Sequence, residues 1–194
     1  MSHNAPAAGS DKRSLRRGLL AARNALTTDA VRKAADALAG RALSMPEVAG
    51  ARAVAAYVSV GAEPGTRALL DALRARGVRV LLPALLPDND LDWGEYTGEG
   101  SLTRVRHGGR MPLSEPAGER LGPDAVTEAD VVLLPGLAVD GRGMRLGRGG
   151  GRTTGSWRVW SGRARVPRCW CCSTTRRSSR TSPRSRTTGR WTRW

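Results

Sequence analysis

Residues 131–151 read V-V-L-L-P-G-L-A-V-D-G-R-G-M-R-L-G-R-G-G-G, and this stretch decides how the rest of the chain is interpreted. Its first four residues form a continuous apolar run, which is typical of a strand buried on both faces. Pro135 and Gly136 end the run, because proline and glycine interrupt regular structure. Arg145 and Arg148 then follow among closely spaced glycines. The stretch therefore predicts a buried strand that leads directly into a glycine–arginine loop.

The glycine–arginine loop has two interpretations. Glycine lets the backbone adopt positive φ and approach a ligand, so that successive N–H groups can point at one anion. Arginine adds paired donors that match phosphate oxygens. The loop is then a polyphosphate site. Alternatively it is a solvated, flexible loop, since glycine-rich patterns are weak indicators without their context. The loop by itself leaves both open.

The amino-acid composition changes abruptly after Gly151. All three cysteines, five of the six tryptophans and 12 of the 32 basic residues lie in residues 152–194, which contain none of the 17 acidic residues. Most of the net charge of +15 is therefore in this segment. We expect a disordered N-terminus (residues 1–10), an α/β domain (residues 11–151) and an aberrant, disordered tail rich in Arg, Ser, Thr and Trp (residues 152–194).

A shift of the reading frame explains this tail. Residues 152–160 can be written with GC-rich codons, and the same bases read in a frame shifted by one base encode Tyr-Asp-Arg-Val-Leu-Ala-Arg-Leu. The alternative peptide ends in apolar residues at helix-like spacing. Arg, Trp, Cys, Ser and Thr are common misreadings of GC-rich DNA. We therefore hypothesise a frameshift after about Gly151.

The residues before Gly151 predict alternating helices and strands. Apolar residues recur every three or four positions in the helical segments and form short runs in the strands. The predicted helices are residues 11–26, 28–43 and 66–76, and the predicted strands are residues 51–60, 78–82, 91–96 and 131–134. Strand–helix–strand order implies parallel strands. The expected fold is an α/β fold, a three-layer α/β/α sandwich with a mainly parallel sheet, truncated at the C-terminus.

Several protein classes are disfavoured by the sequence. No apolar run approaches the roughly 18 residues of a transmembrane helix, and the first ten residues lack the apolar centre of a secretory signal. No cysteine precedes Cys169, which gives no support for a disulfide-built secreted fold. The C-x-C-C pattern at residues 169–172 has no nearby histidine for a zinc site. His107 is expected at the surface. It directly precedes residues 108–116, which are expected to form an irregular loop. We expect a cytoplasmic monomer that binds no membrane.

The first predicted helix carries basic residues with two possible roles. Lys12, Arg16 and Arg23 project at angles away from its apolar positions, and such residues usually form a solvated basic face. Alternatively, Lys12 and Arg16, one turn apart, reach together for a phosphate. The apolar positions, which are expected to point inward, are Leu15, Leu19, Ala22 and Leu26.

Glu63 follows the strand predicted over residues 51–60, and Pro64 comes next. A carboxylate just past the carboxyl end of a strand lies where open α/β sheets bind ligands. The alternative is an ordinary surface glutamate that caps the next helix.

Four motifs carry a family resemblance. They are K-x-x-L-R at residues 12–16, a strand leading to Glu63-Pro64, a degenerate G-x-x-G-(I/L)-x-E-P-like loop at residues 108–116, and D-x-x-x-x-P-G-L-A-x-D-x-x-G-x-R-L-G-x-G-x-G over residues 130–151. In these motifs the chain resembles the 5-formyltetrahydrofolate cyclo-ligase (5,10-methenyltetrahydrofolate synthetase) family, over about residues 10–151. The family signature continues with Tyr-Asp-Arg, which this chain lacks and which the shifted frame supplies.

The resemblance implies a ligase of one-carbon folate metabolism that uses ATP and Mg²⁺. Its partners would be 5-formyltetrahydrofolate and ATP, with no specific nucleic acid. The formyl oxygen is phosphorylated, N10 attacks the activated carbon, and phosphate leaves to give 5,10-methenyltetrahydrofolate. This chemistry depends mostly on positioning and charge neutralisation.

The resemblance also implies roles for individual residues. Arg145 and Arg148 would be catalytic, and Val58, Glu63 and secondarily Glu115 would bind the folate. The implied ATP-binding residues are Lys12, Arg16, Arg145, Leu146, Gly147, Arg148, Gly149, Gly150 and Gly151. Thr154 replaces the family's metal-binding aspartate and cannot supply its charge, so no metal ligand is assigned. We expect the chain as written to fold poorly and to catalyse weakly or not at all.

Other interpretations of the chain stay open. The Arg/Ser-rich residues 176–186, with Trp191 and Trp194 nearby, are compatible with RNA binding through phosphate contacts and stacking, or the chain is a non-catalytic remnant. Any basic tail binds nucleic acid at low salt, so a real role requires affinity that survives physiological salt. A sugar-phosphate isomerase or coenzyme A transferase of related architecture is a further alternative, although no catalytic carboxylate motif of either is visible.

Overall fold

The computed structural model describes residues 8–88, 90–108, 111–139, 145–147, 168–173 and 190–193. The helices within these ranges are α1 (Ala8–Asn24), α2 (Thr28–Leu43), α3 (Pro46–Ala49) and α4 (Arg67–Ala75), with 3₁₀ segments at Glu99–Ser101 and Pro123–Glu128. Helix α2 has the predicted bounds, because Thr27 caps it by accepting a hydrogen bond from the N–H of Ala30. Pro46 begins α3, where its missing N–H costs nothing.

The main sheet is mixed but mostly parallel. Its strands, in spatial order, are β10 (Arg190–Arg193), β9 (Arg168–Ser173), β6 (Val131–Pro135), β1 (Ala53–Ala55), β2 (Arg79–Leu85) and β3 (Leu91–Glu95). The neighbours from β9 to β2 pair in parallel, and the two outer pairs are antiparallel. Two small antiparallel pairs stand apart, β4 (Leu102–Val105) with β5 (Leu113–Pro116) and β7 (Ala138–Val139) with β8 (Arg145–Leu146). The predicted α/β fold with a mainly parallel sheet is confirmed. The tail expected to be disordered differs in two short segments, because the backbone of β9 pairs with β6 and that of β10 pairs with β9.

The two faces of the sheet are covered differently. On one face the buried side chains of α2, α3 and α4, including Leu38, Val48 and Leu70, pack against alternate sheet residues such as Val54 and Val80. On the other face Ala55, Leu81, Trp93 and Val132 pack against the 3₁₀ segment Pro123–Glu128 through Ala125 and Val126. This alternation follows from the period of two along a strand. Burial of both faces explains why the strands read as continuous apolar runs.

The inward face predicted for the first helix is wrong. Leu15 is 54% exposed, Ala22 is exposed, and Leu19 and Leu26 are only half-buried. Arg23, expected on a solvated face, is instead 5% exposed. The reason is that α1 contacts backbone carbonyl groups of the segments that follow β6 and β8, and these groups need polar donors.

Two further predictions differ from the structure. The strand predicted over residues 51–60 ends as a regular strand at Ala55, because Tyr57 and Ser59 bond to the side chain of Thr66. Residues 108–116, expected to be irregular, include β5. Pro116 can end this edge strand because an edge position does not need its missing N–H.

Candidate functional site

Three chain segments meet the carboxyl edge of the parallel strands β6, β1 and β2. In open α/β sheets this edge binds ligands. The segment after β6 carries the P-G-L-A motif, the segment after β1 carries Val58 and Glu63, and the end of β2 contacts Glu115. Each predicted site residue in the described ranges outside α1 therefore follows one of these three strands or contacts its end.

Asp130, the first residue of the family-like signature, lies at the opposite edge. One of its carboxylate oxygens accepts hydrogen bonds from the backbone N–H groups of Arg52 at 2.8 Å and Ala53 at 3.1 Å. Its own N–H donates to the carbonyl oxygen of Ala53 at 2.9 Å. Asp130 therefore fixes the register of β6 against β1, and so determines where the carboxyl end of β6 lies.

The P-G-L-A motif forms the base of a small hairpin. The N–H of Leu137 donates to the carbonyl oxygen of Leu146 at 2.8 Å, and β7 pairs with β8 beyond it. Arg145 turns back so that Nη1 donates to the carbonyl oxygen of Pro135 at 2.8 Å. A Cβ placed on Gly147 would lie 3.8 Å from the same Nη1. The hairpin thus brings the guanidinium of Arg145 beside the backbone of Gly147.

Helix α1 completes this cluster. The Nε atom of Arg16 donates to the carbonyl oxygen of Gly147 at 2.9 Å, and Nη2 of Arg23 donates to that of Gly136 at 3.1 Å. Lys12 is exposed one turn before Arg16. Arg16, Arg145 and Gly147, which the sequence predicts to bind ATP, are therefore brought together by the fold. Arginine donors that surround a glycine backbone make a site suited to an oxyanion.

The segment after β1 is held in one shape by Thr66. Its hydroxyl donates to the carbonyl oxygen of Tyr57 at 2.8 Å and accepts from the N–H of Ser59 at 3.0 Å. Between these anchors the carboxylate of Glu63 accepts from the N–H of Val60 at 3.0 Å. Val58 is buried and Glu63 is half-buried. The two predicted folate contacts therefore lie on a rigid, internally bonded turn.

Glu115 is buried in a polar cluster. It is 3% exposed, and Oε1 accepts from the N–H of Leu85 at 3.1 Å and lies 2.7 Å from Nε2 of His107. Nη2 of Arg120 is 3.9 Å from the other carboxylate oxygen. The expectation that His107 is a surface residue is wrong, because its ring packs against this carboxylate and is 22% exposed.

The segment after β1 and the segment before β5 touch each other. Gly61 adopts φ of 62°, and a Cβ placed on it would lie 3.7 Å from both Sδ and Cε of Met111. Met111 is 56% exposed, one of two large apolar side chains with high exposure among the described residues. The turn that carries Glu63 and the segment that leads to Glu115 therefore meet at an exposed apolar contact. A planar, partly apolar ligand would cover such a surface.

Other predicted residues lie outside the described ranges. They are Arg148, Gly149, Gly150, Gly151 and Thr154, together with the Arg/Ser-rich residues 176–186. Within the described ranges no three His, Cys, Asp or Glu side chains come together as a metal site. No described helix is long and apolar enough to cross a membrane.

Sequence reasoning missed Arg23 and the pairing of His107 with Glu115. Arg23 follows Arg16 by seven residues, about two helical turns, so this spacing could have indicated that the two arginines contact the same part of the protein. Nothing local indicated the second pair, because it depends on β5 folding back along β4.

Comparison with known proteins gives consistent matches. The model of the 5-formyltetrahydrofolate cyclo-ligase family matches residues 8–159. A 5-formyltetrahydrofolate cyclo-ligase from Mycolicibacterium smegmatis is 45% identical over 146 residues, which are 72% of this chain and 71% of that protein. One from Escherichia coli is 31% identical over 140 residues, covering 70% of this chain and 75% of that protein.

Solved structures show the same likeness. The NMR structure of a 5,10-methenyltetrahydrofolate synthetase from Aquifex aeolicus is 25% identical with a TM-score of 0.63, covering 76% of this chain and 72% of that chain. The synthetase from Mycoplasma pneumoniae is 18% identical with a TM-score of 0.57 and covers 81% of each chain, which supports the fold alone.

Proposed function

Because this chain belongs to the 5-formyltetrahydrofolate cyclo-ligase family, we propose that it closes 5-formyltetrahydrofolate to 5,10-methenyltetrahydrofolate at the expense of ATP. ADP and phosphate are the other products. The observation that carries the proposal is the contact of Arg16 with Gly147, since it joins two family-like motifs into one anion-binding surface. Motifs that are distant in sequence and adjacent in space indicate a shared ligand.

The ATP side of the site consists of Lys12, Arg16, Arg145 and Gly147, with Leu146 between the last two. Residues 148–151, which come next in the sequence, are assigned to the same side. Arg16 uses Nε for Gly147 and keeps its two η nitrogens for phosphate oxygens. Arg145 donates to the carbonyl oxygen of Pro135 and places a second positive charge beside Gly147. With Arg148 it neutralises the charge that develops on the transferring phosphoryl group.

The folate side consists of Val58, Glu63 and Glu115. The formyl oxygen attacks the γ-phosphorus, ADP leaves, and N10 then attacks the formyl carbon. The N10 proton is lost, and phosphate departs with the original formyl oxygen. The protein contributes by holding N10 and the formyl group in reacting geometry, for which rigid segments after β1 and β2 are suited.

The described part of the chain offers Mg²⁺ no cluster of carboxylates. The described residues hold no group of three possible ligands, and Thr154 stands where the family has an aspartate. Mg²⁺ prefers carboxylate and phosphate oxygens, so a threonine hydroxyl is a poor replacement. The described residues therefore supply no metal ligand to the proposed reaction.

The chain as written works weakly or not at all in this proposal, as a cytoplasmic monomer with an aberrant tail over residues 152–194. The family match ends at residue 159 while the chain continues to residue 194, so most of this tail lies outside the match. Resequencing the gene across codons 145 to 160 tests this directly. If resequencing finds one base lost or gained, the corrected reading frame continues with Tyr-Asp-Arg after Gly151. If it finds the same bases, the gene encodes the aberrant tail.

The activity is tested with purified protein, 5-formyltetrahydrofolate and ATP. We expect slow formation of the methenyl product with one ADP for each product, and no product when ATP is omitted. Product formed without ATP, or ATP hydrolysis that is independent of the folate, contradicts the proposed function.

A further inference from the structure

Arg23 is a buried charged side chain on α1. Only 5% of its surface is exposed, and Nη2 donates to the carbonyl oxygen of Gly136 at 3.1 Å. Gly136 is itself buried and directly follows β6. Leu15 on the same helix is 54% exposed. At this point α1 is therefore anchored by a guanidinium group rather than by an apolar face.

The two arginine contacts of α1 lie on either side of the β7–β8 hairpin. Arg23 reaches Gly136, just before β7, and Arg16 reaches Gly147, just after β8. Arg16 and Arg23 are seven residues apart, so they leave the same face of the helix about two turns apart. Leu137 closes the hairpin between these points by donating to Leu146. The helix is thus fixed across the base of the hairpin at two positions.

We propose that Arg23 is a positioning residue for the cyclo-ligase reaction. By holding α1 on Gly136, it sets Lys12 and Arg16 against the phosphates of ATP without touching the nucleotide. The inference rests on the proposed function, because it assigns ATP to the surface formed by α1 and the loop after β8. Arginine suits the role because it remains charged when buried and presents several donors in a fixed plane.

The test compares Arg23→Gln with Arg17→Gln in the full chain. Arg17 is exposed on the same helix, so both variants lose one charge from α1 and only the first loses the Gly136 contact. The dissociation constants for ATP and for 5-formyltetrahydrofolate are measured separately by calorimetry at one ionic strength. We expect Arg23→Gln to weaken ATP binding about tenfold, corresponding to roughly 1.4 kcal/mol. We expect folate affinity to stay within about twofold, and Arg17→Gln to bind both ligands normally.

Two additional measurements separate positioning from a general loss of stability. Arg23→Lys should recover part of the ATP affinity, since its ammonium can still donate to Gly136. Hydrogen exchange should become faster in α1 of Arg23→Gln while α2 keeps its protection. If Arg23→Gln loses affinity equally for both ligands, or keeps its ATP affinity unchanged, the positioning role is overturned. Absence of ATP binding by the unaltered chain contradicts the proposed function and the positioning role together.

Discussion

The Nε atom of Arg16 lies 2.9 Å from the carbonyl oxygen of Gly147, although the two residues are 131 positions apart in the chain. The contact joins the first helix to the loop that the sequence marks as a phosphate site. An arginine that is oriented through Nε presents its two η nitrogens in a defined direction. In the proposed function Arg16 therefore has two tasks, which are to hold the loop and to bind phosphate.

Replacing Arg16 by lysine should weaken ATP binding. Lysine can donate to Gly147 or to a phosphate, but it lacks the planar fork that does both. We expect a loss of about tenfold in ATP affinity by calorimetry. Arg13→Lys is the matched control, because Arg13 is exposed on the same helix. Equal ATP affinities for the two variants would show that the fork of Arg16 has no role.

Replacing Glu115 by glutamine should destabilise the protein. In one orientation the new amide N–H₂ group faces the donors of Leu85 and His107, and in the other it faces Arg120. We expect a loss of roughly 1–3 kcal/mol in the free energy of unfolding, measured in urea. The exposed Glu119→Gln should stay within about 0.5 kcal/mol of the unaltered chain. A Glu115→Gln variant as stable as this control contradicts the described cluster.

Gly94 is required by close packing of β3 against β5. A Cβ placed on it would lie 2.7 Å from Cγ and 2.8 Å from Cβ of Pro116. Gly94→Ala should therefore cost about 1–3 kcal/mol through overpacking. Gly118→Ala should be nearly neutral, since no atom lies within 4 Å of its Cβ position. Thermal unfolding of both variants checks the difference, and equal midpoints would argue against this contact.

Tyr96 gives the fold a dependence on alkaline pH. Burial first, and then the hydrogen bond that its hydroxyl donates to Asp71 at 2.7 Å, together raise the pKa of Tyr96 to about 12. The unfolded tyrosine loses its proton near pH 10. The stabilisation is therefore complete below pH 10 and is lost as the pH rises toward 12.

The Tyr96→Phe variant tests this pH dependence. At pH 8 it should be less stable by roughly 1 kcal/mol, because Asp71 loses its partner. Above about pH 10 the stability of the unaltered chain should fall more steeply than that of the variant, so that their difference shrinks. Urea midpoints across this range provide the measurement, and parallel slopes for the two proteins contradict the assignment.

Local patterns in the sequence predicted much of the fold. The apolar spacing placed α2 at its observed bounds, and the runs around Val54, Val80 and Val131 placed the central parallel strands. These elements are determined by periodicity and capping, which depend on neighbouring residues. The motifs around Arg16, Glu63 and Gly147 likewise predicted where the candidate site lies.

Contacts between distant segments were not predictable in the same way. The sequence predicts Arg23 to be solvated, and only the fold shows that it contacts Gly136. The sequence likewise predicts His107 at the surface, and only the fold shows that it contacts Glu115. Leu15 shows the opposite error, since it was predicted to point inward but is exposed. Helical spacing gives the direction of a side chain but not the surface that it contacts. Such contacts depend on the tertiary arrangement of loops.

We propose that the domain before Gly151 performs ATP-dependent cyclisation and that the tail limits it. The direct measurement compares the rate of methenyltetrahydrofolate formation by the chain as written with that of a chain whose frame is restored after Gly151. We predict that both reactions require ATP and that the restored chain is faster by at least about a hundredfold, roughly 2.7 kcal/mol in activation free energy. Equal rates for the two chains, or no product from the restored chain, would contradict the claim.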